Sequence, residues 1–201
     1  RWKNTAYIAF EFEVSVDIWS IPNITAVVEG RKIAFLEDTE WEFGYNSNPI
    51  WCLYDLLTNT RFGVGIESQY IDILSFKEAA DYCDQELDTD DPRFRLDYLL
   101  DSGQSSLDII DSILATCRGF LVYSEGVLRA KIEKDEIPVQ AFTPANIIKD
   151  SFTFKKVSKN QIPNQVVVEW FDPEIDWWPT STEWNNEIDQ DERGLHSFEV
   201  S

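Results

Sequence analysis

Methionine is absent from the 201 residues, histidine occurs once, at His196, and cysteine only three times, at Cys52, Cys83 and Cys117. One imidazole and three thiols in no paired spacing do not make a zinc cradle, so no metal and no cofactor is expected. The cysteines read as small buried hydrophobes in a reducing compartment. No apolar run approaches the length of a bilayer, and nothing at the start reads as a signal peptide, so no membrane insertion by this segment is expected. The lack of Met even at position 1, with the chain moving from Arg1 directly toward a strand pattern, reads as an internal piece of a longer polypeptide. Basic residues are scarce too. Seventeen of them stand against 37 acids, a formal charge of -20. Such a surface repels phosphate backbones, which excludes sequence-specific nucleic-acid binding and suits a conduit that DNA must pass without sticking.

What is present is core material and aromatic rings. Hydrophobic residues make up 43% and aromatics 14%, with 8 Trp and 13 Phe, enough for one large domain or two small ones. Phe10, Phe12, Val14, Val16 and Ile18 alternate with Glu11, Glu13, Ser15 and Asp17, the period of a half-buried strand with an acidic outer face. Two further strands are expected from Ile24 to Glu29 and from Arg31 to Leu36, with Gly30 as a hairpin signal between them. Asn48-Pro49 predicts a helix N-terminus, followed by the apolar stripe Ile50, Trp51, Leu53, Tyr54 and Leu57. Ser75 and Glu78 have capping-box spacing for a second helix. Asp88-Thr89-Asp90-Asp91 lacks the Gly and distal Glu of a calcium loop and reads as a polar turn.

A second unit is expected from about Pro92. Phe94, Leu96, Tyr98 and Leu100 alternate as a strand. Ser105 or Ser106 can cap a third helix lined by Leu107, Ile110, Ile113, Leu114 and Cys117, with Gly119 at the position beyond its end. Phe120 to Tyr123 and Val127 to Ile132 flank a hairpin at Ser124-Glu125-Gly126. Phe152 with Phe154, then Val166 with Val168 and Trp170, predict two more strands. The expected fold class is α+β, mostly antiparallel sheet with about three helices. From Asp172 onward nine acids face one base, Arg193. Trp177, Trp178 and Trp184 lie there among Pro, Ser and Asn without sustained periodicity. The expected organisation is residues 1–91, residues 92–172, and an acidic, Trp-rich tail over 173–201.

Catalysis finds no foothold in the motifs. Asp172 with Glu174, or Asp176 with Glu183, are the natural guesses for a glycosidase pair, but 37 acids generate such pairs by chance. His196 sits beside Gly194 in the irregular tail. No Walker motif, nucleophile elbow or HExxH is present. The three tryptophans, Trp177, Trp178 and Trp184, are candidate interaction residues. They serve as anchors on a neighbouring subunit or, alternatively, as stacking faces of a carbohydrate-binding module or cell-wall glycosidase.

Several blocks carry a family likeness. Residues 48–63, NPIWCLYDLLTNTRFG, resemble the "NPAWxLYDLLTNxRYG" segment of lambda-like phage tail-tip, or host-specificity, proteins. Ser75 to Asp84 is similar to the family's "SFYEAAQYCDE", and Asp111 to Leu128 to its "ACRGML…GGKLRL". Phe142 to Ile147 matches "FTxANI", and Val166 to Pro173 resembles "NxVEVEYxDP". The blocks occur in family order over most of residues 20–173; the first strand and the acidic tail do not align.

The resemblance implies barrel-like, β-rich hub domains that assemble as a threefold ring at the end of a virion tail, made in the bacterial cytoplasm. It implies no enzymatic activity. The implied partners are copies of this chain and the distal tail and tail-tip proteins, with host receptor contacts made elsewhere in the longer protein. Under that reading Glu11, Glu13 and Asp17 are candidates to face the DNA channel.

Overall fold

The structure, a computed structural model, describes residues 7–11, 24, 26, 28, 30–87, 91–100, 103–175 and 177–200. The expected first strand falls largely outside them. The chain is an α+β protein whose described residues divide into two compact units, Arg1–Glu136 and Ile137–Ser201.

The first unit holds the hydrophobic core. Its first hairpin joins β1 (Ile33–Glu37) to β2 (Glu40–Gly44), with Leu36 opposite Trp41. Thus β1 pairs forward across Asp38-Thr39; the expected partner before Gly30, Ile24 to Glu29, lies partly outside the described residues. Asp38 takes the positive φ of 51° that the tight turn needs, which Asp tolerates better than most residues. Trp41 then lays its ring 5.5 Å from Tyr54 and 6.1 Å from Trp51. A two-stranded ribbon is marginal alone; these contacts fasten it to a helix.

That helix, α1 (Pro49–Thr58), begins where Asn48-Pro49 predicts. The Asn48 side chain accepts from Ile50 N at 2.9 Å and donates to Ala80 O at 2.9 Å, so one buried amide caps α1 and ties it to α2 (Ile73–Cys83). The cap of α2 differs from expectation. Asp72 caps it, and Ser75 lies inside the first turn, where its hydroxyl donates to Asp72 O and accepts from Ala130 N. Asp72 prevails because it also meets Arg129 at 3.0 Å, a partner 57 residues away that local spacing does not reveal.

Helix α3 (Ser106–Thr116) starts on the Ser105 hydroxyl. Its end also departs from expectation: Arg118 takes the left-handed conformation and Gly119 opens β3 (Gly119–Ser124). Gly119 answers a need for space. A Cβ there would stand 2.9 Å from a Leu114 methyl and 3.0 Å from Cys117 Sγ. β3 returns through Glu125-Gly126, both at positive φ, into β4 (Val127–Ile132), as a two-residue primed turn requires.

One cluster runs through this unit. Ile50, Leu53, Leu57, Phe76, Ala80, Cys83, Ile113, Cys117 and Ala130 are each at most 3% exposed. Phe94 and Leu96 pack on its rim without forming the expected strand; single backbone bonds to Cys83 O and Ser47 O hold them.

The second unit is a three-stranded sheet of order β6-β5-β7, preceded by an irregular segment. β5 (Gln165–Asp172) pairs antiparallel with β6 (Trp178–Asn185) and parallel with β7 (Ser197–Val200). The short helix α4 (Glu187–Arg193) connects β6 to β7. Regular structure thus extends through a stretch whose polarity masks its period. Phe152 and Phe154, read as a strand from their alternation, lie in the irregular segment, both over 70% exposed and with no described strand to pair with.

Candidate functional site

Side chains on a strand alternate between faces, and paired residues share a face. On β6 the positions 178, 180, 182 and 184 therefore look the same way. The register adds Val166, Val168 and Trp170 from β5, and Phe198 and Val200 from β7. This face is open: Trp178 is 68% exposed, Trp184 60% and Phe198 57%. Trp170 is held by donation from its indole N–H to Thr182 Oγ1 at 3.1 Å. The opposite face carries Gln165, Glu169, Ser181, Glu183 and Glu199, polar apart from Val167, Phe171 and Pro179. The sheet is amphipathic, with its aromatic side unburied.

Of the three tryptophans singled out from the sequence, Trp178 and Trp184 meet on this face. Trp177 lies half-buried in the turn before β6, at φ 59°, with its amide donating to Asp172 O. Sequence reasoning missed Trp170 and Phe198 as members. The even-numbered alternation Val166, Val168, Trp170 was a signal for the first; for Phe198 only the parallel register is. Of the acids considered for a channel surface, Glu11 is exposed in an irregular stretch, while Glu13 and Asp17 lie outside the described residues.

A polar knot holds the sheet in place of a core. Asn164 is the buried residue of this unit among those described, at 1% exposure. Its amide donates to Asp189 Oδ2 at 3.0 Å and to Gly194 O at 2.8 Å, and its carbonyl oxygen accepts from His196 N at 2.8 Å. Its backbone bonds His196 O, Asn186 N and the Gln190 side chain. One residue so joins the start of β5 to α4 and to the entry of β7. Arg193 completes the knot by gripping Asp189, Ile162 O and Lys159 O. The guanidinium, and then Asn164, hold the Asp189 carboxyl below the usual carboxylate range.

The carboxylates nearest the tryptophans have structural work. Asp172 accepts from Glu174 N at 2.8 Å, closing the turn after β5. Glu183 accepts from Gln165 Nε2 at 2.8 Å on the polar face. Asp176 is outside the described residues. Among the described residues no group of three His, Cys, Asp or Glu side chains is placed to hold a metal ion, and no helix is long and apolar enough to cross a membrane.

An open aromatic sheet face on a small unit with little buried among its described residues is the feature that comparison with known proteins bears on. Residues 105–197 match the family described as "Putative phage tail protein". The chain is 28% identical over 194 residues to the tip attachment protein J of Escherichia phage SECphi27, covering 86% of this chain and 16% of that protein. It is 24% identical over 215 residues to the baseplate hub protein pb3 of Escherichia phage T5, covering 96% of this chain and 23% of that one. The chain thus spans less than a quarter of the length of either relative. Its similarity is to phage tail-tip and hub proteins, as the sequence blocks implied.

Proposed function

We propose that this chain is a structural, non-enzymatic part of a phage or prophage tail tip, in which the aromatic face of the second unit is covered by another tail protein or by a copy of this chain. The observation that carries the reading is the mismatch in that unit: among its described residues one buried side chain, Asn164, beside an open face holding Trp170, Trp178, Trp184 and Phe198. Burying one such side chain is worth about 1.5–3 kcal/mol. Only 43–68% exposed, the four together leave about 5 kcal/mol unused in the free chain, typical of a surface meant for a partner.

In the longer protein this segment joins the tail end to host-recognition domains, assembles as a trimer, and reaches the virion after synthesis in the host cytoplasm. The two compact units, Arg1–Glu136 and Ile137–Ser201, act as successive hub subdomains. Glu11, Glu13 and Asp17 face the DNA channel. The test is a phage whose gene carries Trp178→Lys and Trp184→Lys. We expect normally folded protein missing from assembled tails, and a titre reduced by at least 100-fold. Infectious particles at the normal yield would overturn the proposal. Replacing Glu11, Glu13 and Asp17 by Lys tests the channel role separately, through slowed DNA ejection.

Trp170, Trp178 and Trp184, on one face, also favour a second reading, glycan stacking. Specific binding on a glycan array that is lost in Trp178→Ala would promote it.

A further inference from the structure

One strand pattern of the sequence finds no partner in the single chain. Ser151 to Lys155 alternate polar and aromatic, yet among the described residues no backbone hydrogen bond is made by residues 152–157. Phe152 and Phe154 are 72% and 71% exposed. Around them, from Lys149 to Lys159, stand four lysines and one acid, in a chain of charge -20. None of these lysines has an ion pair among the described residues. The first unit holds the converse. Strand β2 is an edge of a two-stranded ribbon, and residues 40–44 make no backbone hydrogen bond outside it among the described residues. It alternates too: Trp41 and Phe43, 50% and 72% exposed, lie on one face and Glu40 and Glu42 on the other. Glu40 stands directly opposite Glu37, and no cation pairs with Glu37, Glu40 or Glu42 among the described residues. Like charges so placed weaken a ribbon.

We propose that residues 151–155 of one copy of this chain add as a third strand to the β2 edge of a second copy. An open edge offers unpaired N–H and C=O groups to such a strand, and alternating side chains then set the register. Antiparallel pairing places Phe152 opposite Phe43, Thr153 opposite Glu42, Phe154 opposite Trp41 and Lys155 opposite Glu40. The rings then share the face of Trp41 and Phe43, and the Lys155 ammonium lies beside the Glu40 and Glu37 carboxylates. A slip of one residue would set the phenylalanines among the acids instead. Parallel pairing with the rings aligned would carry Lys155 to Gly44, away from the like-charged pair. Strand and edge both stand open in the single chain, so the match is one between copies. Because they are different surfaces, one contact leaves a strand and an edge free, which a ring or a reciprocal pair closes. The contact rests on the reading of this chain as an assembling tail subunit, but it uses a surface other than the aromatic sheet face of the second unit.

The experiment is sedimentation velocity over a concentration series of the 201-residue chain. Wild type is compared with Lys155→Glu, with Glu40→Lys, and with an equimolar mixture of those two variants. Both positions are exposed, so the variants keep the wild-type fold. The wild type is expected to self-associate, and either variant alone to do so roughly tenfold more weakly, because like charges then face each other across the contact. The mixture is expected to regain the wild-type association, since each strand meets an edge of opposite charge on the other variant. Pairing within one chain cannot be restored by mixing. A wild type that stays monomeric at about 0.5 mM overturns the proposal, as does a mixture no more associated than its components. Association that survives both charge variants but is lost on Trp178→Lys and Trp184→Lys overturns this contact and leaves the covered aromatic face standing.

Discussion

Replacing Asn164 by Ala removes the knot that organises the second unit while touching no aromatic residue of its open face. The side chain makes three hydrogen bonds: two neutral, to His196 N and Gly194 O, and one to the charged Asp189. Neutral bonds contribute about 1 kcal/mol each and a charge-assisted one about 1.5–3 kcal/mol. Water entering the vacated space offsets part of that sum, which leaves a loss of about 3 kcal/mol, near 100-fold in a local opening equilibrium. Hydrogen exchange resolved by residue is the appropriate assay. The amides of His196, Gln165 and Gly194 should exchange about 100-fold faster, while those of α1 and α2 in the first unit stay unchanged. Asn164→Asp is the informative companion. It keeps an acceptor for His196 N but loses both donors and sets a second carboxylate against Asp189. Protection should therefore fall at Gly194 in both variants, and further in Asp than in Ala at pH 7. Exchange altered by less than threefold in both would refute the idea that Asn164 stands in for a core.

Asn48→Ala should lower the unfolding free energy of the first unit by about 2 kcal/mol in urea titrations, one part from the lost cap of α1 and one from the lost tie to Ala80 O. Gly63→Ala should cost about 3 kcal/mol or more, measured the same way, because a Cβ there would lie 1.9 Å from the Leu56 carbonyl oxygen, backbone that cannot swing aside. The hydrogen bond from Arg129, aided by the Ser75 and Leu74 amides, holds the Asp72 carboxyl below its ordinary value. Its contribution is complete above the unfolded carboxylate pKa of about 3.9 and disappears as pH falls through the folded value. Acid titration of the melting temperature should thus show a steeper fall below about pH 4 in the wild type than in Arg129→Gln.

Local chemistry was legible wherever neighbours in sequence satisfy one another. Asn48-Pro49 starts α1, Ser105 starts α3, and Glu125-Gly126 turns β3 into β4, because caps and tight turns are solved within four residues. The α+β class follows from the same short-range periods, and the tail-tip resemblance is carried by the same local blocks. Choices that depend on distant partners were not legible. Asp72 displaced Ser75 as the cap of α2 through Arg129, and Gly119 is needed for the side chains it faces. Alternation at Phe94–Leu100 and at Phe152–Phe154 says which side of a strand would be apolar, yet a strand exists only when another backbone pairs with it. The same limit applies to the aromatic face. The sequence by itself marked Trp178 and Trp184, six residues apart, but Trp170 and Phe198 join them only through the β6-β5-β7 register. Register is decided by hydrogen bonds between segments far apart along the chain, and only the tertiary structure contains them.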